Sequence, residues 1–216
     1  FSEQTIKNFE LNSVGEFFKL NGISDFAQLE FNDSLVLLDS LTIEALVRVD
    51  NFSNRPCGFM DGSINPVISQ AHSGSWAGNY TLGLSQAGVF FMFEPIDSHY
   101  VVSCRIEAGK WYHIAVSHTF GNGAETKFYI NGEEMDGFWV DDSRNPIDGN
   151  YIPNPLQSRN PYLIGSMGPT HPVFFHGGID ELRIWNRVLS SEEIAGRIQK
   201  PLTGKESGLI SEFTFD

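Results

Sequence analysis

The sequence predicts an all-β fold, two antiparallel sheets packed face to face, with one short helix near the C-terminus. Three observations carry this. Short stretches alternate apolar and polar residues along most of the chain. Phe occurs 18 times in 216 residues, and Gly 21 with Pro 10 punctuate the intervals. Aromatic and β-branched side chains suit a pleated, half-buried surface, while Gly and Pro suit the bends between strands. With 41% hydrophobic residues the chain can fill a sizeable core, and its length fits one large sandwich. No long linker or internal repeat divides it, so residues 1–216 read as a single domain.

The elements follow in order. Residues 26–31 place Ala27, Leu29 and Phe31 on one face. Residues 42–49 turn Ile43, Ala45, Val47 and Val49 inward, with Thr42, Glu44 and Arg48 opposite. Both read as half-buried strands. Residues 66–70, 80–84 and 89–93 are three further short strands, with bends at Gly83, Ser85-Gln86 and Gly88. A strand over 99–104 runs out at Glu107-Ala108-Gly109. Residues 111–118 then alternate Tyr112, Ile114 and Val116 against Trp111, His113 and Ala115. Gly121-Asn122-Gly123 turns the chain, residues 127–130 run back, and Asn131-Gly132 suits a type I′ hairpin turn, in which both residues need positive φ. From Met135 to Pro161 the pattern breaks into a long polar loop. Strands resume at 162–164 and 179–185. Ser190-x-x-Glu193 is a capping box that opens a helix over 190–199, stopped by Pro201. Residues 209–215 form the last strand, whose pattern implies that it pairs in a sheet.

Charge narrows the function. Twenty-seven Asp and Glu against 14 Lys and Arg give a formal net charge of −13, a field that repels nucleic acid and anionic membrane surfaces. No apolar run of ~20 residues is present to span a bilayer. The chain begins at Phe1 rather than Met, which suggests a fragment or a processed chain of a larger protein. Cys57 and Cys104 are too few for a cysteine-rich metal site; they form one bridge or stay as two thiols. Acidic loops are compatible with Ca²⁺, which takes carboxylate and carbonyl oxygens.

Several segments, in order, carry a family resemblance: Gly22-Ile-Ser-Asp25-Phe-Ala, Leu41-Thr-Ile-Glu-Ala-Leu-Val47, Gly109-Lys-Trp-Tyr-His-Ile-Ala-Val116, Phe128-Tyr-Ile-Asn-Gly132 and Tyr162-Leu-Ile-Gly165. The most specific stretch runs from Gly177-Gly-Ile-Asp-Glu-Leu-Arg-Ile-Trp-Asn-Arg to Ile194. The chain resembles the laminin-G-like jelly-roll modules of the concanavalin A-like lectin and glucanase superfamily. The resemblance implies a concanavalin A-like jelly-roll sandwich in a secreted or cell-surface protein. Such modules bind glycans or other proteins, or act as spacers. It also implies a structural Ca²⁺, for which Asp25 is the first candidate ligand and Asp180 and Asp216 are further ones; the other reading of Asp25 is a turn residue bonded to its own backbone. A pentraxin-type Ca²⁺ site would need acids or amides just after Leu163-Ile164-Gly165, where this chain has Ser166-Met167-Gly168-Pro169-Thr170.

Catalysis is not expected. The superfamily's glucanases place carboxylates at alternate strand positions as Glu-x-Asp-x-x-Glu or Glu-x-Asp-x-Glu, so that both face one cleft. That pattern does not occur here, and Asp180-Glu181, being adjacent, face opposite sides. His113 and His118 point to opposite faces, and His171 with His176 match no zinc spacing. Ligand recognition would need an aromatic platform beside polar groups, since sugar rings lay C–H faces on aromatic rings and direct hydroxyls to amides and carboxylates. Two stretches offer both: His72, Trp76 and Asn79 in a glycine-rich loop, and Trp139, Asp141, Asp142, Asn145 and Tyr151. Trp111 and Trp185 read as core. The expectation is a non-catalytic module for a glycan, or alternatively a protein-interaction or structural spacer domain of a larger adhesin, toxin or surface protein, with a glycan or a surface protein as partner.

Overall fold

The structure is a computed structural model that describes residues 2–8, 11, 15–52, 60–71, 78–93, 98–152, 159–167 and 173–215. Its strands are β1 (Phe18–Asn21), β2 (Ala27–Leu29), β3 (Ser40–Val49), β4 (Asn65–Ala71), β5 (Gly78–Ser85), β6 (Gly88–Phe93) and β7 (Ser98–Ser103). They continue as β8 (Trp111–Thr119), β9 (Asn122–Ile130), β10 (Glu133–Met135), β11 (Phe138–Asp141), β12 (Tyr162–Ile164), β13 (His176–Trp185) and β14 (Leu209–Phe213). One sheet runs β1–β13–β3–β8–β9–β10 with β14 also paired to β13; the other runs β11–β7–β6–β5–β4–β12–β2. The result is the expected jelly-roll sandwich with one short helix, α1 (Ser191–Ala195).

The alternation seen in the sequence builds the space between the sheets. Ile43, Ala45 and Val47 of β3 and Ile114 and Val116 of β8 face Leu82, Leu84, Val89, Phe91, Phe93 and Val102 of the second sheet, all at 0% exposure. Each large side chain buried this way stabilises the fold by roughly 1.5–3 kcal/mol relative to leaving it in water. Asn131 and Gly132 take φ 54° and 81° between β9 and β10, as the hairpin pair requires. At Ser190 both arms of the capping box form.

Two expectations are corrected. Thr42 and Glu44 do not face solvent, because both have 0% exposure. The outer face of the first sheet lies under α1 and the segment beyond it, where Ala115, Tyr129, Trp185, Leu189 and Ile194 form a second apolar cluster. Trp185, expected as core, is fully buried in this cluster. The region 135–161 is not one loop: β11 pairs along the edge of β7, from Phe138 opposite Val101 to Asp141 opposite Ser98. A 3-10 turn, Gly149–Tyr151, follows, capped by the Asp148 carboxylate. A four-residue edge strand is too short to announce itself by periodicity.

The outer face of the second sheet is covered too. Phe90, Met92, Val101 and Val140 pack there with Met60, Ile64, Met167 and Val173. Strand β13 bends at Glu181, where φ is 49° and the register with β3 slips between Asp180 and Arg183. Such a bulge divides the strand's other edge between two partners: β1 takes residues 176–179 and β14 takes 182–185. Among the described residues no helix is long and apolar enough to cross a membrane.

Candidate functional site

The aromatic-polar stretches found in the sequence do not make an open platform within the described residues. Trp139 is 4% exposed; its indole N–H donates to the Gly123 carbonyl at 2.9 Å and its ring lies 5.4 Å from that of Tyr100. Gly149 permits this, since a Cβ there would sit 2.7 Å from the indole Cδ1. Trp139 is therefore a core residue and cannot stack on a sugar, which corrects the expectation. Asn79 is also buried, with its amide donating to Gln70 Oε1 at 2.8 Å. Tyr151 ends the 3-10 turn. His72, Trp76 and Asp216 lie outside the described residues.

Asp141, Asp142 and Asn145 do come together, in a turn that closes on itself. The Asp141 carboxylate accepts from the Asn145 side chain (2.9 Å) and from the backbone N–H of Asn145 (2.8 Å) and Ser143 (2.9 Å). These bonds, the Asn145 side chain first, hold its pKa below the usual carboxylate value. Asp142 meets His99 Nε2 at 2.7 Å, and Arg144 reaches Asp61 at 2.7 Å. The acids of this turn bind neighbouring groups of the chain, so they order the rim.

The two described calcium candidates are likewise held by backbone. Asp25 accepts from the Asn21 N–H at 3.2 Å, in a turn where Asn21 Oδ1 accepts from the N–H of Ile23, Ser24 and Asp25. Asp180 Oδ1 accepts from Glu181 N–H at 2.8 Å and Phe215 N–H at 3.3 Å, which closes the bulge of β13. Asn21 pairs with His176, four residues before Asp180, so the turn lies about 13 Å from Asp180 along the strand. The two carboxylates do not share one coordination shell. Among the described residues no three metal-ligating side chains cluster.

A further hollow forms where no motif of the sequence pointed to one. Residues 3–8 cross one end of the sandwich as a strap. Gln4 N–H donates to the Ser103 carbonyl at 2.9 Å, and its side-chain amide clamps Asp136, accepting from its N–H and donating to its carbonyl. Further along, Asn131 Nδ2 donates to the Lys7 carbonyl at 2.9 Å and Lys7 pairs with Glu133 at 3.1 Å. Ile6 packs on the core. Between the strap and the start of β8 lies a groove of about 600 Å³, lined by Glu3, Lys7, Arg105, Lys110, Trp111 and Asn131 among others. That size falls within the usual range for small-ligand sites. A neighbouring hollow of about 270 Å³ shares Glu3 and Arg105 with it.

Trp111 and Tyr112 are the aromatic residues that line the groove, and Trp111 supplies its indole. Trp111 opens β8 on the face opposite Tyr112, and at this end of the strand it is half-buried rather than core, whereas His113 and Ala115 further along the same face are covered. The Phe17 ring meets it edge-on at 5.3 Å, and the Arg48 guanidinium lies 5.3 Å from its centroid, a cation–π contact. Gly178 leaves room for it: a Cβ there would come within 2.9 Å of the indole Cη2. The floor of the groove is fixed by the Tyr112 hydroxyl, which accepts from Glu107 N–H at 3.1 Å, and by Lys110, which pairs with Glu107 at 2.8 Å. The site thus combines an indole, an amide and charges of both signs on a rigid strand end.

The fold defines a two-sheet jelly-roll β-sandwich module. The chain belongs to the concanavalin A-like lectin/glucanases superfamily, whose laminin-G-type family model matches residues 21–195. A search of the curated proteins finds no match. Among solved structures, the chain is similar to a candidate carbohydrate-binding protein from Bacteroides ovatus, with 19% identity, TM-score 0.61, and 92% of this chain aligned to 51% of that one. It is also similar to domain 4 of AbnA, an extracellular arabinanase from Geobacillus stearothermophilus solved with arabinotriose (20% identity, TM-score 0.58, 89% and 81% covered). A third similar structure is a heptameric pentraxin from Limulus polyphemus (13%, 0.57, 91% and 90%). The chain spans about half the length of the Bacteroides protein. At these identities the likeness is one of fold. The strap, residues 3–8, precedes the segment that the family model matches.

Proposed function

We propose that the chain is a non-catalytic carbohydrate-binding module of a secreted or cell-surface protein, and that it takes a saccharide in the groove between the strap and β8. The observation that carries this reading is the placement of half-buried Trp111 beside Asn131, Arg105, Lys110 and Glu107 in a hollow of about 600 Å³. An aromatic ring serves the C–H face of a sugar, and fixed amide and charged groups serve its hydroxyls. Domain 4 of AbnA, similar in fold, was solved with arabinotriose, which supports a saccharide as the class of ligand. The sequence lacks the alternating carboxylates that the superfamily's glucanases use.

A glycan array followed by calorimetry, with and without Ca²⁺, tests this. Wild type binds at least one saccharide, and Trp111→Ala, checked for retained fold by circular dichroism, loses tenfold or more in affinity. Absence of binding to every saccharide, in either condition, removes the reading. The Ca²⁺ arm tests the calcium proposal separately, since Asp25 and Asp180 are not brought together. One observation favours a protein-interaction or structural role instead: the outer face of the second sheet is filled by Phe90, Met92, Val101 and Val140 under Met60 and Met167, and offers no open groove among the described residues. That role predicts retention of a surface protein with Trp111→Ala having no effect.

A further inference from the structure

We infer that the groove selects a carboxylated saccharide, one carrying a uronate or sialate unit, and that Arg105 is the residue that reads the carboxylate. This rests on the saccharide-binding reading above and deepens it. The basic side chains of the groove are not equivalent. Lys7 is paired with Glu133 at 3.1 Å and Lys110 with Glu107 at 2.8 Å. Arg105 is exposed, lines both the 600 Å³ groove and the adjoining 270 Å³ hollow, and has no ion pair among the described residues. Of the groove's Lys and Arg side chains it alone lacks an ion pair within that set, and the Glu107 carboxylate feels its charge only through space.

Its position is held even though its head is not. Cys104 and Ile106, on either side, are each 1% exposed, and their N–H groups donate to the carbonyls of Ala87 and Gln86 at 3.1 Å. With both neighbours buried and hydrogen-bonded and Arg105 exposed, the Arg105 stem leaves the protein at a fixed point beside the strap. A guanidinium presents paired N–H donors that match both oxygens of a carboxylate, which an ammonium cannot do. In a chain of net charge −13, a guanidinium without an ion pair in a groove that an indole also lines is a local reversal of sign that draws a single anionic group to one spot. Glu3 lines the same two hollows and opposes an anion there, so it limits the charge that the site accepts to one carboxylate.

The test compares ligands that differ only at that carboxylate: a tri-galacturonate against its methyl ester, and sialyllactose against lactose, titrated by calorimetry. Wild type prefers the acid form of at least one pair by tenfold or more, and the pair that responds identifies uronate or sialate as the source. In Arg105→Ala the ratio of acid-form to neutral-form affinity falls to near unity; Arg105→Lys keeps only part of the preference, and Glu3→Gln increases it. A preference that survives in Arg105→Ala overturns the inference, as does equal binding of a sulfated trisaccharide, which would show a response to charge alone. Neutral saccharides bound through Trp111 with no acid preference overturn the inference and leave the saccharide reading intact. No saccharide bound at all removes that reading first.

Discussion

Glu44 is the most consequential charge inside the protein, and its removal gives the sharpest test of how the first sheet is covered. Its carboxylate has 0% exposure and accepts from Trp185 Nε1 at 3.1 Å, with His113 Nε2 at 3.2 Å and the Arg183 guanidinium at 3.8 Å. Burial pushes this carboxyl's pKa up. The hydrogen bond from His113, the charges of His113 and Arg183 and the Trp185 N–H outweigh burial, so the net direction is down and Glu44 stays ionised. Glu44→Ala leaves the indole N–H and His113 without their shared acceptor. Removing one partner of a buried ion pair costs about 3–5 kcal/mol. Arg183 keeps Glu212 at 3.0 Å and the carbonyls of Arg197 and Lys200, which places the loss near the lower end, about 3 kcal/mol. For a chain of this length that is a fall in Tm of roughly 6–12 °C. Because the folded carboxyl's pKa lies below its ordinary value of 4.5, its contribution is fully present above pH 4.5 and lost as pH falls through the folded pKa. Glu44→Gln therefore flattens the acid limb of the stability curve. Urea and thermal unfolding from pH 3 to 8 measure both effects. A Glu44→Ala variant within about 0.5 kcal/mol of wild type would refute the reasoning, since surface substitutions behave that way.

Three further outcomes are expected. Asn131 holds φ 54°, accepts from His113 N–H at 3.0 Å and donates to the strap at Lys7; Asn131→Ala destabilises by about 1–2 kcal/mol, and hydrogen exchange at residues 4–8 accelerates. Ser190→Ala, which breaks the capping box, costs about 1 kcal/mol in urea titration. Burial, followed by the Glu3 charge, raises the Cys104 thiol to about 12, so at pH 8 peptide mass spectrometry finds Cys104 unalkylated by iodoacetamide in the native protein and alkylated in denaturant.

What could be read from the sequence was local. The alternation of Ile43, Ala45 and Val47 fixes a strand face, Asn131-Gly132 fixes a turn, and Ser190 with Glu193 fixes a helix start, because each depends on residues within a few positions of one another. What could not be read depends on distant segments. Thr42 and Glu44 look solvent-facing until the polypeptide after β13 returns to cover them; Leu189 N–H donates to the Thr42 hydroxyl at 3.0 Å from 147 residues away. The strap escaped notice because Gln4 reaches Asp136, 132 residues on. The two tryptophans were exchanged for different reasons. Trp139 sits in a strand of four residues, too few to show a period. Trp111 shares its face of β8 with buried His113 and Ala115, so alternation alone does not mark it; its place at the strand's first position leaves it half-buried.

The account turns on whether a saccharide enters the groove beneath the strap. Titrating the isotope-labelled protein with a saccharide selected by the array, and following backbone amide shifts, tests this directly. The account predicts that shifts cluster at Gln4, Arg105, Lys110, Trp111 and Asn131 and disappear in Trp111→Ala. Shifts confined to residues 60–64 and 141–145, with the groove amides unmoved, would contradict it.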